Sequence, residues 1–202
     1  MKKIIWLFAF VLCGVTAAYS QGADADWEAV VSDEFHFIAY FPNEPTKTEG
    51  KIDTRFGKGY SRRWTLKLPD IFYEVSVDDY PDLTVEMNYK PLNLFYDTVC
   101  NDFAGQYGVK CDNYNTTVMF GEYGKNAGGR GKDVFVTVEM YLARQRLYQL
   151  KIVMPTAFEH DRQKLEDIRK FLDDFVLVHK KENESKYTYG LPESLSQNYK
   201  SQ

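Results

Sequence analysis

Apolar and polar residues alternate one by one through several segments of this chain of 202 residues, which is the pattern of a β-strand with one buried face. Two alternating runs that are separated by a turn at 143–145 predict an antiparallel hairpin over 133–154. The other strands are predicted at 35–41, 58–66, 71–77 and 116–120. Strands of this kind bury their apolar faces together, so the pattern predicts an antiparallel sheet with one face reaching solvent in places.

The spacing of apolar residues changes to steps of three and four after Pro91, which predicts an amphipathic helix with proline in its first turn. Gly105 and Gly108 are positions where this helix can end. A second helix is predicted after a capping box formed by Thr156 and Glu159. Its buried stripe consists of Leu165, Ile168, Phe171, Leu172 and Phe175. Strands and helices together predict an α+β fold.

The first twenty residues have the pattern of a secretory signal peptide. Lys2 and Lys3 precede an apolar run at 4–15, and small residues close the segment before Gln21. The run is too short to cross a bilayer as a helix, so no integral membrane segment is expected after cleavage. The sequence therefore predicts an exported bacterial protein, periplasmic or extracellular, with one domain over 21–180 and a polar, disordered tail over 181–202.

The charge of the mature chain argues against nucleic acid as a partner. Removal of residues 1–20 leaves 23 basic and 29 acidic side chains. Binding to a phosphate backbone needs a basic stripe, and the few neighbouring arginines do not form one. We expect an acidic protein whose partner is another protein or a component of the cell envelope.

Two cysteines remain in the mature chain, Cys100 and Cys111. In an oxidising compartment they can form a disulfide. Cys100 also lies on the apolar stripe of the first predicted helix, where a free thiol behaves as a small hydrophobic side chain. The sequence leaves both alternatives open because it gives no distance between the two Cα atoms.

The glycine-rich segment 121–132 invites comparison with a phosphate-binding loop. The spacing does not fit, because Asn126 stands where a P-loop needs glycine and Asp133 where it needs serine or threonine. We interpret the segment as a flexible hairpin or edge loop. Lys125 and Arg130 within it are candidates for contact with a partner.

Three aspartates, Asp78, Asp79 and Asp82, are candidates for holding a hard cation such as Ca²⁺. They lack the spacing of a dedicated calcium loop, and Pro81 lies among them. A solvated turn is the simpler interpretation. No other cofactor is expected from the sequence.

Aromatic residues are abundant, and strand preference together with core filling accounts for most of them. An exposed row on the sheet could instead stack against a sugar or a peptide. The candidates for such a contact surface are Tyr60, Trp64, Tyr73 and Tyr141. The same positions also suit a buried face.

The sequence contains no signature of catalysis. No serine lies in a Gly-x-Ser-x-Gly elbow, and His36, His160 and His179 have no second ligand at metal-binding spacing. A triad whose members meet only in the folded protein would escape such a search.

Three short motifs carry a resemblance to a known family: the Phe37-Ile38-Ala39-Tyr40-Phe41-Pro42 strand with Pro45 beyond it, the strand 146–150, and the helix end 171–175. Together with the order of elements, they resemble the PsbP-like fold of the photosystem II extrinsic protein, its secreted bacterial relatives and a eukaryotic Ran-binding import factor. The resemblance spans about 35–178 and implies a central antiparallel sheet flanked by α-helices, an α/β/α sandwich. Members of the family act mostly as accessory or binding proteins.

These observations predict an exported, non-enzymatic accessory or binding protein. Two alternatives stay open, namely a hydrolase of envelope polymers with a dispersed site, and a carrier of a small ligand or cation. The hydrolase predicts a pocket with titratable groups of shifted pKa. The carrier predicts a ligand-dependent rise in melting temperature.

Overall fold

The computed structural model describes residues 27–178, except for 84, 86–88, 120 and 144. The predicted signal peptide (1–20), the predicted tail (181–202) and both ends of the predicted domain (21–180) lie outside these residues. The described chain is mainly β-structure, with two antiparallel sheets and two α-helices.

The strands form a sheet of seven and a sheet of three. Their bounds are β1 (Glu28–Ser32), β2 (Phe37–Phe41), β3 (Thr46–Thr54), β4 (Gly57–Lys67), β5 (Phe72–Asp79), β6 (Asn113–Met119), β7 (Glu122–Arg130), β8 (Val134–Ala143), β9 (Arg146–Pro155) and β10 (Val176–Leu177). The larger sheet has the order β3-β4-β5-β9-β8-β7-β6, and the smaller has the order β1-β2-β10. Every neighbouring pair is antiparallel. Because β3 and β6 come first and last in the order of the larger sheet, they are its edge strands.

Two α-helices pack on the sheets, α1 (Tyr89–Gly105) and α2 (Arg162–Asp173), and a short 3-10 helix (Thr156–Phe158) precedes α2. Pro91 lies in the first turn of α1, as the sequence predicts. Within the described chain, neither helix combines the length and hydrophobicity that a membrane crossing requires.

The two faces of the larger sheet are covered differently, which divides the core into two clusters. On one face, here called the α1 face, apolar side chains of β8 such as Val138 and Met140 pack with Tyr96 of α1. On the other, the α2 face, Phe171 of α2 and Phe37 of the smaller sheet pack with side chains from the central strands. The predicted sandwich with helices on both faces is therefore only partly correct, since the smaller sheet shares the α2 face with α2.

The structure confirms the predicted strands at 58–66 and 71–77 and the hairpin over 133–154, with end shifts of a few residues. Only 37–41 of the predicted strand 35–41 is extended strand, and the strand predicted at 116–120 begins earlier, at Asn113. The strands β1, β3 and β10 were not predicted from the sequence. β3 is polar and largely exposed, and β10 has two residues, so neither produces a detectable alternation.

The interpretation of 121–132 as a flexible loop is wrong, because this segment contains β7, an interior strand between β6 and β8. Its glycines allow close contacts that a side chain would block. An added Cβ at Gly124 would lie 2.5 Å from the ring of Tyr141, and one at Gly129 would lie 2.1 Å from the carbonyl oxygen of Lys110. The glycines therefore make room for neighbouring atoms in a packed sheet.

We expect Gly129→Ala to lower the free energy of unfolding by about 1–3 kcal/mol, because the backbone near Lys110 must move to accept the methyl group. Gly50→Ala on β3 is the matched control, since an added Cβ there meets nothing within 4 Å. Urea unfolding followed by circular dichroism compares the two. Equal stability of both variants would contradict the close approach at Gly129.

The predicted capping box of Thr156 and Glu159 is also wrong. Thr156 begins the 3-10 helix, and α2 begins later, at Arg162. The N-cap is Asp161, whose side chain accepts a hydrogen bond of 3.1 Å from the backbone N–H of Lys164. Sequence spacing detected a helix start but placed it several residues too early.

Cys100 and Cys111 form a disulfide, which decides between the two alternatives that the sequence leaves open. Their Cα atoms are 6.2 Å apart, and both residues are buried. The bond joins α1 to the segment that leads into β6.

Replacing both cysteines by alanine is expected to cost about 2–4 kcal/mol of unfolding free energy, because the unfolded chain is no longer constrained. Thermal unfolding of Cys100→Ala/Cys111→Ala against the oxidised wild type measures this effect. Reduced wild type serves as the control for the substitutions themselves, and it should resemble the variant.

Candidate functional site

A line of polar residues occupies the α1 face where β5 and β9 pair. Glu74, Ser76 and Asp78 alternate along β5, and Gln149 and Lys151 lie opposite on β9. All five are buried, although the alternation pattern predicts a sheet face that reaches solvent in places. The last turn of α1 and the segment around Tyr80 cover this part of the sheet.

Two residues of this line, Glu74 and Lys151, form an ion pair. Lys151 Nζ donates to Glu74 Oε1 at 2.8 Å and to Ser76 Oγ at 3.1 Å. It also lies 5.5 Å from the ring centroid of Phe103 on α1. Because both charged side chains are about nine-tenths buried, their charges balance each other inside the protein.

Asp78 is different, because part of its carboxylate has no partner. Gln149 Nε2 donates to Asp78 Oδ2 at 2.7 Å. Asp78 Oδ1 is inaccessible to bulk solvent and accepts no hydrogen bond from the part of the chain that the structure describes. A buried acceptor without a donor is costly, so this oxygen is a position where a bound donor would be favourable.

An open groove with a volume of about 140 Å³ runs past this aspartate. Gln149 and Lys151 lie along its floor, and Gln106, the residue after α1, contributes an amide to its wall. Aromatic rings and a hydroxyl complete the lining: Phe56, Tyr80, Phe103 and Thr54. We call it the Asp78 groove, and it combines apolar walls with a few polar groups as small-molecule sites do.

A second depression continues along the same face over β3 and β4. Its volume is about 250 Å³, and it is lined by polar side chains that include Thr48, Ser61 and Arg63. Ser61 pairs directly with Asp78 across β4 and β5, so the two depressions are neighbours. Arg63 is exposed and donates from Nε to Ser61 Oγ at 3.1 Å, which brings a positive charge to this side of the groove.

The phenol of Tyr80 stays protonated at neutral pH and can donate a hydrogen bond. Burial raises its pKa above the ordinary value, although its contact with Thr54 opposes that rise. Tyr80 also stacks edge-on against Phe56, with ring centroids 6.3 Å apart. The aromatic wall of the Asp78 groove is therefore held in place by its own packing.

The three aspartates proposed for a cation do not converge. Asp78 points to the α1 face and Asp79, the next residue on β5, points to the opposite face, where Arg146 Nε lies 3.2 Å from its carboxylate. Asp82 is exposed in the following turn. Within the described residues, no group of three or more His, Cys, Asp or Glu side chains is arranged to hold a metal ion. The interpretation of all three as turn residues is also wrong, because two lie on β5.

The predicted aromatic contact surface is wrong for three of its four members. Trp64, Tyr73 and Tyr141 are buried, because they lie on the α2 face beneath β2 and α2. Trp64 packs edge-on against Phe37 with ring centroids 4.9 Å apart. Tyr60 is half-buried, and the guanidinium of Arg62 lies 4.4 Å from its ring centroid.

The two basic residues that were predicted as contacts with a partner, Lys125 and Arg130, lie in different environments. Lys125 is buried on the α1 face, where it forms an ion pair with Asp97 and lies 4.3 Å from the ring centroid of Tyr114. It is therefore a structural residue and not an accessible contact. Arg130 is exposed at the end of β7 and pairs with Glu159 at 3.0 Å.

Among the described residues of the α2 face, Glu139 on β8 carries the one buried carboxylate. Burial raises its pKa, and hydrogen bonds from the Tyr141 hydroxyl and the Asn126 amide oppose this rise. A carboxyl with a raised pKa is the kind of group that the hydrolase alternative requires. Both of its oxygens accept hydrogen bonds from neighbours in the sheet, however, so we interpret Glu139 as structural.

The raised pKa of Glu139 predicts a pH dependence of stability. Compared with the unfolded chain, the folded protein favours the neutral form of the Glu139 carboxyl. The wild type therefore loses stability as the pH rises from the ordinary pKa range of glutamate through the raised pKa of Glu139. Glu139→Gln does not titrate. The difference in melting temperature, Glu139→Gln minus wild type, should therefore increase between pH 4 and pH 7. A constant difference would contradict the assignment.

Sequence reasoning missed Gln149 and Lys151 as site residues. A signal was present: on β9, Gln149 and Lys151 alternate with the apolar residues that fill the α2 face, so they occupy the second face of a central strand. Their partners on β5 are polar at the matching positions. Strand register, which the sequence does not supply, was needed to bring the two sets together.

Comparisons with known proteins add little to this geometry. No family model matches the chain, and no curated protein matches it. Among solved structures, the chain is similar to the solution structure of cyanobacterial PsbP (CyanoP) from Synechocystis sp. PCC 6803, with 14% identity and a TM-score of 0.48. The match covers 81% of this chain and 99% of that one. It names the same family as the sequence resemblance, and at this level it supplies no argument about activity, ligand or partner.

Proposed function

We propose that this chain is an exported, non-enzymatic binding protein whose ligand site is the Asp78 groove. The observation that carries the proposal is the Asp78 carboxylate, which belongs to a residue of the groove lining and whose buried Oδ1 has no donor among the described residues. If the Asp78 carboxylate turns toward the groove, a ligand that brings a hydroxyl or amine hydrogen to this oxygen gains a charge-assisted hydrogen bond and removes the cost of an unpaired acceptor.

The lining favours a small molecule with several hydroxyl groups, such as one sugar unit of an envelope component. Gln106 and Gln149 supply amide groups at the groove, and the rings of Phe56, Tyr80 and Phe103 offer flat apolar surface to the carbon skeleton. The volume of about 140 Å³ is below the range of about 300–1,000 Å³ for sites that enclose drug-sized ligands. A single small unit in an open groove fits this size.

Export is supported by the signal-peptide pattern and by the Cys100–Cys111 disulfide, since such bonds persist mainly in oxidising compartments. The mass of the protein recovered from the periplasm and the culture medium tests this part. A mature chain that begins near Gln21 is expected. A full-length chain retained in the cytoplasm would overturn it.

The ligand proposal is tested by calorimetry and thermal shift with hexoses, amino sugars, N-acetylated sugars and alditols. At least one compound is expected to raise the melting temperature. Asp78→Ala should weaken its binding at least about tenfold, which corresponds to about 1.4 kcal/mol. Asp82→Ala, an exposed aspartate outside the groove, is the matched control.

Two results would overturn the ligand proposal, namely no response to any compound, or equal affinity of Asp78→Ala and wild type. The non-enzymatic part is tested separately with envelope polymers as substrates. Turnover that one side-chain change abolishes would favour the hydrolase instead.

A further inference from the structure

The two edges of the seven-stranded sheet differ in charge. β3 carries Lys47, Glu49, Lys51 and Asp53 along nine residues, whereas β6 has no charged residue in its sequence Asn-Tyr-Asn-Thr-Thr-Val-Met. Edge strands present unpaired N–H and C=O groups, and proteins commonly use charged residues there to prevent pairing with another chain. β3 has this protection and β6 lacks it.

β6 is also exposed and partly apolar. Tyr114 is 38% exposed and Val118 is 65% exposed, and both point to the α1 face. β6 pairs with β7 on one side, and no strand of the described chain pairs with its other side. The edge is therefore a surface that can accept one more strand.

The residue order of β6 fits an antiparallel copy of itself. If two copies pair about Thr116, Tyr114 of each lies opposite Val118 of the other, and Asn115 lies opposite Thr117. An aromatic residue opposite a β-branched one is a favourable cross-strand pair. No charged residue meets a like charge across the two-fold axis.

We propose that β6 is a self-association surface, through which a second copy of this chain pairs antiparallel and extends the seven-stranded sheet across both molecules. The proposal does not depend on the Asp78 groove, which lies over the central strands β5 and β9 and is separated from β6 by β8 and β7.

The proposed register can be tested directly, because it places Thr116 of one copy opposite Thr116 of the other. Thr116→Lys and Thr116→Glu each place like charges on the two-fold axis, so each variant alone should be monomeric. An equimolar mixture places lysine opposite glutamate and should restore a dimer. Thr48→Lys on the β3 edge is the control and should remain dimeric. Light scattering coupled to size-exclusion chromatography measures the mass, and melting temperature shows that each variant folds.

A wild type that is monomeric at all concentrations tested would overturn the proposal. So would a dimer that Thr116→Lys leaves intact, because its interface would lie elsewhere. If the wild type is monomeric and deletion of 181–202 makes it dimeric, the occupant of this edge is the chain's own tail, which also overturns pairing with a second copy.

Discussion

Lys151→Ala is expected to lower the free energy of unfolding by about 3–5 kcal/mol. Lys151 and Glu74 form an ion pair of 2.8 Å with side chains only 11% and 10% exposed. Removing the lysine leaves the glutamate charge buried in the centre of the sheet with no cation beside it. Breaking such a pair costs more than the pair itself contributes, because the charge that remains was taken out of water.

Two further variants separate the cost of the unpaired charge from the loss of packing. In Glu74→Leu/Lys151→Met both charges are gone, so stability should return to that of the wild type or exceed it. Arg162→Ala breaks an exposed ion pair of 3.0 Å on α2 and should cost less than about 1 kcal/mol. Urea unfolding measures all of these. A loss below about 1 kcal/mol for Lys151→Ala would mean that water reaches Glu74.

Phe171→Ala is expected to cost about 3–5 kcal/mol, the usual range for a fully buried phenylalanine. Phe171 lies on α2 between the two sheets. Its ring centroid is 5.3 Å from that of Phe41 in the smaller sheet and 5.1 Å from that of Tyr73 in the larger one. The alanine variant therefore leaves a cavity at the place where α2 holds both sheets together.

Arg169→Ala on the exposed side of the same helix is the control and should change stability by no more than about 0.5 kcal/mol. If Phe171→Ala does not fold, Phe171→Leu keeps part of the volume and should show a smaller loss in the same direction. A cost of Phe171→Ala as small as that of the control would mean that α2 does not close the α2 face.

Residues with a strict local period were predictable from sequence. The hairpin of β8 and β9, the strands β4 and β5 and the helix after Pro91 were identified because their spacing is visible within a window of ten to fifteen residues. β3 escaped because both of its faces are polar, and β7 escaped because glycines carry no side chain with which to show a period. The contacts that require those glycines come from Lys110 and Tyr141, which are outside the strand.

The candidate site depended on pairing that no local pattern contains. Glu74 and Lys151 are 77 positions apart, and the register of β5 with β9 places them side by side. The same polar residues, considered one strand at a time, indicated a sheet face that reaches solvent. The last turn of α1 buried them instead and formed a wall of the Asp78 groove.

The sequence by itself determined the elements with strong periodicity, the signal-peptide pattern, the excess of acidic residues and the presence of two cysteines that could pair. Only the tertiary structure decided which aromatic residues are buried, that Cys100 and Cys111 are joined, and that Asp78 and Asp79 face opposite sides of the sheet. The physical reason is that hydrophobic periodicity is a property of a few consecutive residues, whereas burial, pairing and an unsatisfied acceptor depend on which distant segment covers each face.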